Sequence, residues 1–195
     1  KWSHMVGGQA HPNVTVRAII NRGGEQGAQH SQALHSWFAH IPGLRVVMPA
    51  TASDARDLLI ASVLCEDPVI YIDDRWLYEQ EDQLKSIQEI PLTDFGPQVL
   101  TQGDDITLVG SGFSTLLAQQ TAEQLHTHGY SAEVIDLRVL NPFDPRLIVE
   151  SVNKTGRLLV IDGSWKTCGF SAEVIESVSE QCPPRVMRSN PTRIT

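Results

Sequence analysis

The run Val14-Thr15-Val16-Arg17-Ala18-Ile19-Ile20, then Gly23-Gly24-Glu25-Gln26-Gly27-Ala28-Gln29-His30-Ser31-Gln32, then Leu44-Arg45-Val46-Val47-Met48-Pro49, decides the fold class. The first segment is rich in β-branched residues and reads as a buried strand. The second is a glycine-rich loop, whose backbone can turn sharply or approach a ligand closely. From Ser31 to His40, Leu34, Trp37 and Phe38 recur at helical spacing. The third segment is a second strand, ended by Pro49. Strand, loop, helix and strand in that order point to an α/β fold with a largely parallel sheet. The loop also presents His30, flanked by the hydrogen-bonding side chains of Gln29, Ser31 and Gln32. A histidine so placed can exchange protons near neutral pH.

The same alternation continues outward. Ser53 is a suitable N-cap for a helix over 54–64, with Asp54 and Asp57 in its first turn. Val69-Ile70-Tyr71-Ile72 is a third strand, so residues 1–78 form one unit. Residues 79–104, with Glu79-Gln80-Glu81-Asp82-Gln83, carry few apolar anchors and read as a linker leading into an edge segment. Residues 105–195 form a second unit. It opens with Asp105-Ile106-Thr107-Leu108-Val109-Gly110-Ser111-Gly112, a strand running into a glycine turn, and continues with a helix over 114–128 closed by Gly129. Leu116, Leu117, Ala118, Thr121, Ala122 and Leu125 face inward on that helix. A strand over 132–137 follows, then a helix over 145–152 with Asp144 as N-cap and Pro145 at its first position. A strand over 157–161, a helix over 170–181 and a strand at Arg185-Val186-Met187 complete the unit.

Composition bounds the function. The chain of 195 residues has a net charge of −8, which argues against nucleic acid as a primary partner. Its apolar runs, such as Leu158-Leu159-Val160-Ile161, are too short to span a bilayer. Cys65, Cys168 and Cys182 are widely spaced and form no CxxC pair, so they read as free thiols rather than a zinc site. Lys1-Trp2-Ser3-His4-Met5 has no initiator methionine and reads as the middle of a helix-to-strand transition, as expected of a piece of a longer protein.

Four stretches together carry a family likeness. They are Gly24-Glu25-Gln26-Gly27-Ala28-Gln29-His30-Ser31-Gln32, then His40-Ile41-Pro42-Gly43-Leu44-Arg45-Val46-Val47-Met48-Pro49, then Asp54-Ala55-Arg56-Asp57-Leu58-Leu59, then Asp67-Pro68-Val69-Ile70-Tyr71. In order and spacing they resemble the β subunit of the E1 component of 2-oxo acid dehydrogenases, thiamine diphosphate enzymes related to transketolase. Val109-Gly110-Ser111-Gly112, Val134-Ile135-Asp136-Leu137-Arg138 with Pro142 and Asp144, and Ile161-Asp162 with Gly169-Phe170 and Ala172-Glu173 are similar to the transketolase C-terminal domain. The resemblance implies part of a pyrimidine-binding domain followed by a C-terminal domain with a mainly parallel sheet.

It also implies a site. The histidine of the HSQ motif faces the thiazolium end of the cofactor near the substrate, so His30 inherits the catalytic role. The cofactor carries the hard chemistry while the protein positions groups and moves protons around it. His40 reads as structural, at a helix C-terminus where a cation is favoured. The family's potassium ion is held by backbone carbonyls, and the matching positions are Ser62, Val63, Cys65 and Asp67, with Val14 opposite. The implied partners are an E1 α-type subunit, in a two-fold heterotetramer, and a dihydrolipoyl acyltransferase, whose basic domain would meet an acidic face. The implied location is the cytoplasm, or the mitochondrial matrix of a eukaryote.

The departures are as informative. The family's glutamate and the aromatic residue that packs on the pyrimidine ring lie upstream of Lys1, and Glu25 is in the wrong place to substitute. The diphosphate and Mg²⁺ motif belongs to a partner subunit, and Gly110-Ser111-Gly112 lacks the third glycine and downstream acid of a dinucleotide fingerprint. Family members continue with a further helix beyond Arg188–Thr195. Two other readings stay open: a non-catalytic assembly or docking module, and a relative of transketolase or deoxyxylulose phosphate synthase.

Overall fold

The computed structural model describes residues 2–21, 27–84, 86–87 and 89–195. They form two compact units, Lys1–Gly96 with Arg138–Phe143, and Pro97–Leu137 with Asp144–Thr195. Both are built on mainly parallel sheets with crossover helices, the α/β architecture expected from the alternation.

In the first unit, a short helix α1 (Trp2–Met5) precedes the strand β1 (Thr15–Ile20). The helix α2 (His35–Ala39), the strand β2 (Arg45–Val47), the helix α3 (Ala52–Leu64) and the strand β3 (Val69–Asp74) follow. β3 lies between β1 and β2 and is parallel to both, with Arg17 opposite Tyr71 and Ala18 opposite Ile72. β3 is buried along its whole length, as the continuous run from Val69 to Ile72 requires. Val47, Leu58, Ala61, Val69 and Tyr71 form the core between α3 and the sheet, and Leu92 closes it.

The segment 79–104, read as a linker, is divided between the units. Leu92 is buried in the first core and Phe95 packs against it, while Gln98–Thr101 is the strand β4 of the second unit. The boundary therefore falls at Gly96. Two anchors separated by polar residues leave no periodicity to read. The cap of α3 also differs from the expectation. Thr51 is the N-cap, its hydroxyl accepting the Asp54 N–H at 3.0 Å, while Ser53 lies inside the helix and donates to the Asp82 carboxylate. Thr51→Ala should therefore lower stability by about 1 kcal/mol in a urea titration. Ser53→Ala, which touches only an exposed contact, should stay within about 0.5 kcal/mol.

Tyr71 is almost wholly buried, and its hydroxyl donates to the Ala55 carbonyl at 2.8 Å. Burial, with the nearby Asp73 carboxylate, holds its phenol well above the ordinary tyrosine range. A raised phenol pKa keeps the folded state protonated where the unfolded chain already ionises. Its contribution is complete below the unfolded value of about 10 and is lost as pH rises toward the folded value. Unfolding free energies measured from pH 8 to 12 should fall above pH 10, and Tyr71→Phe should flatten that fall.

In the second unit, β4 is followed by the strand β5 (Ile106–Gly110), the helix α4 (Phe113–Thr127) and the strand β6 (Ala132–Asp136). After the strand β7 (Val139–Asn141) come the helix α5 (Arg146–Thr155), the strand β8 (Leu158–Ile161), the helix α6 (Phe170–Gln181) and the strand β9 (Thr192–Ile194). The sheet order is β4-β6-β5-β8-β9, with only β4 antiparallel to its neighbour. Ala118 and Ala122 of α4 pack on Leu108 and Val134, and Leu117 and Leu125 cover the edge of that cluster. Gly110 permits this close packing, because a Cβ there would sit 2.7 Å from the α4 backbone. α5 runs a turn beyond the expected end, to Thr155. The Thr107 hydroxyl meets those of Ser151 and Thr155 at 2.7 and 2.8 Å, fixing that last turn on β5.

Two expectations are corrected. Arg185–Met187 is not a strand: Pro184–Val186 form a single 3-10 turn, since Pro183 and Pro184 fix φ and donate no N–H. The last strand is β9 instead. Residues 138–143, read as continuing the second unit, return to the first, where β7 pairs antiparallel with β2. Arg138 secures that return. Its carbonyl accepts the Met48 N–H at 2.8 Å. Its guanidinium donates to the Gly96 carbonyl at 2.7 Å and to Asp54 at 3.2 Å, and stacks 5.6 Å from the Phe95 ring centre.

Candidate functional site

The described part of the glycine-rich loop begins at Gly27; Gly23, Gly24, Glu25 and Gln26 lie outside the described residues. Gly27 has φ +71°, and a Cβ there would meet nothing within 4 Å. The glycine is needed for backbone conformation, not for space. It leads into a single 3-10 turn, Ala28–His30, in which the His30 N–H donates to the Gly27 carbonyl at 3.3 Å. The Ser31 hydroxyl donates to the same carbonyl at 2.9 Å. That bond commits Ser31 to closing the turn, so the helix expected over 31–40 starts only at His35.

His30 is exposed on this turn, with Gln29 and Gln32 beside it. Together they rim a cleft of about 230 Å³ in the first unit, walled by Ala18, Ile72 and Phe38. His35 is buried at its inner side. Ala18 and Ile72 are register partners on neighbouring parallel strands, so their side chains share one face of the sheet. α2 supplies Phe38 from above. The sequence reading found His30 and put Phe38, with Leu34 and Trp37, at helical spacing, but nothing in it singled out Ala18 as part of a cleft; Trp37 and Leu34 are exposed. The only signal was a small residue inside a β-branched strand. His40 caps the C-terminus of α2 through its backbone N–H and is exposed, consistent with a structural place.

The positions implied for potassium lie where α3 ends and β1 and β3 begin. The Val14 carbonyl accepts the Val69 N–H at 2.8 Å. The Ser62 carbonyl accepts the Thr15 hydroxyl at 2.8 Å and the Cys65 N–H at 3.3 Å. Both acceptor positions of Ser62 are thus engaged, and a cation there would compete with them. The Asp67 carboxylate is held by Arg45 at 2.8 Å, and Val63 is exposed at the end of α3. The structure brings Val14, Ser62 and Cys65 to one corner and directs the Asp67 side chain to Arg45.

Among the described residues, no group of three or more His, Cys, Asp or Glu side chains is placed to hold a metal. No helix among them is long and apolar enough to cross a membrane.

Comparison with known proteins agrees with this architecture. Residues 2–80 match the family model of the transketolase pyrimidine binding domain, and residues 97–190 match that of the transketolase C-terminal domain. The chain is 37% identical over 171 residues to the 2-oxoisovalerate dehydrogenase subunit beta 2, mitochondrial, of Arabidopsis thaliana, covering 87% of this chain and 47% of that protein. It is 37% identical over 183 residues to the acetoin:2,6-dichlorophenolindophenol oxidoreductase subunit beta of Cupriavidus necator, covering 93% and 53%. It is 35% identical over 181 residues to the pyruvate dehydrogenase E1 component subunit beta of Rhizobium meliloti, covering 93% and 39%. The chain thus spans about half the length of the curated relatives it matches. Among solved structures, one titled "Split gene transketolase, inactive beta4 tetramer" superposes with a TM-score of 0.74 at 26% identity, over 93% of this chain and 56% of that one. By both of its units, the chain belongs to the transketolase family and is similar to the E1 β subunits of 2-oxo acid dehydrogenases.

Proposed function

We propose that this chain is a β-type part of a thiamine diphosphate-dependent 2-oxo acid dehydrogenase and needs an α-type partner. The observation that carries the reading is His30 exposed beside a cleft that Ala18, Phe38 and Ile72 also line, in a chain 35–37% identical to such β subunits. Ligands of open α/β sheets bind toward the carboxyl ends of the strands, where this cleft lies. In this reading His30 is the catalytic residue this chain contributes. It takes the substrate carboxylate by hydrogen bond, or hands a proton to the oxygen of the former carbonyl. Gln29, Ser31 and Gln32 hold the loop that presents it.

When bound, thiamine diphosphate would supply the nucleophilic carbon that this chemistry needs. The described residues do not fit its diphosphate and Mg²⁺ end: no lysine or arginine lines the cleft, and no group of three or more His, Cys, Asp or Glu among the described residues is placed to hold a metal. That end is therefore assigned to the partner. Potassium at the corner of Val14, Ser62, Val63, Cys65 and Asp67 belongs to the same reading. So do transfer of the acyl group to a dihydrolipoyl acyltransferase and a location in the cytoplasm or mitochondrial matrix. The net charge of −8 suits a basic docking domain.

The test is reconstitution. The isolated chain, given thiamine diphosphate, Mg²⁺ and a 2-oxo acid, is expected to release no CO₂. With an α-type subunit it should co-purify and bind the cofactor. Turnover by the chain alone would overturn the split site. A second reading, a half-transketolase, is favoured by the solved structure titled as a split gene transketolase. Ketol transfer between sugar phosphates by the reconstituted complex, without 2-oxo acid decarboxylation, would select it.

A further inference from the structure

We infer that the cleft between the start of α3 and the end of β3 holds the carboxylate of a small apolar acid, gripped by Arg17. The inference is independent of the function proposed above. Three features carry it.

The first is the presentation of the guanidinium. Arg17 and Tyr71 are register partners on β1 and β3, and Asp73 lies two residues along β3, on the same face of the sheet. The Asp73 carboxylate accepts from Arg17 Nε, and the Tyr78 hydroxyl accepts from Nη2 at 3.2 Å. Those two bonds fix the plane of the guanidinium. The acid is sealed and the cation is open: the Asp73 side chain is 10% exposed and that of Arg17 55%. Among the described residues Nη1 makes no hydrogen bond. The outer edge, Nη1 with the second N–H of Nη2, is therefore a fork that matches a carboxylate. Tyr78 keeps its own hydroxyl proton for the same ligand.

The second is the cleft itself. Arg17, Tyr78 and Gln80 line a space of about 360 Å³ together with Ala50, Ala52, Ala55, Leu59 and Leu77. That is the lower end of the roughly 300–1,000 Å³ of small-molecule sites, which are likewise mostly apolar with a few polar groups. A body of a few carbons lies against the alanines while its carboxylate meets Arg17. Ala52 and Ala55 belong to the first turn of α3, whose positive end also favours an anion. Ala18 and Ile72, one position along each strand, point to the other face of the sheet, so this cleft is separate from the one beside His30.

The third is charge balance. Asp73 and Asp74 are the acids in the lining. Asp73 is offset by Arg17, and Asp74 is buried and accepts the Trp76 N–H at 3.2 Å, committed to the 3-10 turn that follows β3. The net charge of −8 is spread over the chain, and exposed charges farther than about 10 Å are largely screened in physiological salt. Arg17 is the one cation in the lining, so a second carboxylate on the ligand would be desolvated with nothing to meet it. The accepted class is monocarboxylates with a short apolar body.

The experiment titrates the chain with 3-methylbutanoate, 3-methylbutan-1-ol and 3-methylbutan-1-amine, three probes of similar shape. NMR follows the backbone amides and the Arg17 Nε–H. Saturable shifts at Ala52, Ala55, Tyr78 and the Arg17 Nε–H are expected with the acid. Its binding should be at least about tenfold tighter than that of the alcohol, the difference between a charge-assisted and a neutral hydrogen bond. Arg17→Lys keeps a partner for Asp73 but loses the planar fork, and should weaken the acid about tenfold. Ala52→Leu leaves the ion pair intact, fills the cleft and should abolish the shifts. The peptide acetyl-Gly-Glu-Gly-amide offers a carboxylate without the branched apolar body and should bind more weakly than the acid. The inference is overturned by no saturable shift, by alcohol or amine binding as tightly as the acid, or by acid binding unchanged in both variants. Peptide binding as tight as that of the acid would also overturn it, assigning the fork to an acidic segment of a partner protein. Should Arg17→Lys not fold, Ala52→Leu and the probe comparison decide. None of these readouts uses turnover, so their failure leaves the proposed function standing.

Discussion

Replacing His30 with alanine is expected to lower kcat/KM of the α-partnered enzyme for its 2-oxo acid by about 10²- to 10⁴-fold. The basis is position. His30 closes a single 3-10 turn on the rim of the cleft, and its ring is exposed rather than packed. Among the described residues the ring makes no hydrogen bond, so its removal leaves no stranded partner there. Stability should change by no more than about 0.5 kcal/mol, which separates chemistry from folding. His30→Gln retains a hydrogen-bond donor but cannot pass a proton at neutral pH. If His30 binds the carboxylate, Gln restores KM and much of the rate. If it moves a proton, Gln restores KM but not kcat. His40→Ala is the control: it lies ten residues along, is exposed and contributes only its backbone N–H to the end of α2. An equal loss in both variants would remove His30 from the reaction.

The contrast between these two histidines shows what the sequence could disclose. Spacing and loop chemistry located the turn that carries His30, because glycine and serine act locally. The strands β1, β3, β5 and β6 and the helices α4 and α6 were legible for the same reason: their apolar periods are continuous over several residues. What escaped was non-local. β7 is three residues long and exists only because β2, whose Val47 pairs with Val139, offers an edge from far earlier in the chain; Arg138, at φ +56°, turns the backbone toward it. Leu92 and Phe95 anchor the first core from a polar segment with no period at all. Thr51 displaced Ser53 as the cap because the choice depends on which residue keeps an extended backbone, here Thr51, rather than on side-chain type. The cleft is illegible in the same way. Ala18 reads as an ordinary strand residue until its pairing with Ile72 and the overlying Phe38 are known.

Asp162 is the position in the second unit where one substitution should do most damage. It follows β8 directly, it is buried, and its carboxylate collects donors from the loop and from the helix beyond it. Oδ1 accepts the Ser164 N–H at 3.0 Å; Oδ2 accepts the Ser164 hydroxyl at 2.7 Å and the Ser171 N–H at 2.8 Å. Ser171 is in the first turn of α6, whose own N-cap, Gly169, has no side chain to offer. The carboxylate therefore serves as a cap supplied from outside the helix, where a negative charge also suits the helix dipole. Asp162→Ala would leave these donors buried without an acceptor, at about 1–3 kcal/mol for each group that water cannot reach. A total of about 3–5 kcal/mol is expected, enough to unfold a marginal domain. Asp162→Asn keeps one acceptor but turns an N–H₂ toward the remaining donors, so it should fall between wild type and alanine. Hydrogen exchange gives the local readout: protection of the Ser171 amide should collapse before that of the α6 interior. Ser171→Ala distinguishes the backbone role from the side-chain role. The Ser171 hydroxyl is buried with no hydrogen-bond partner among the described residues, and its loss should leave stability unchanged or raise it. If Ser171→Ala destabilised the unit as much as Asp162→Ala does, the hydroxyl rather than the capped N–H would be holding the start of α6.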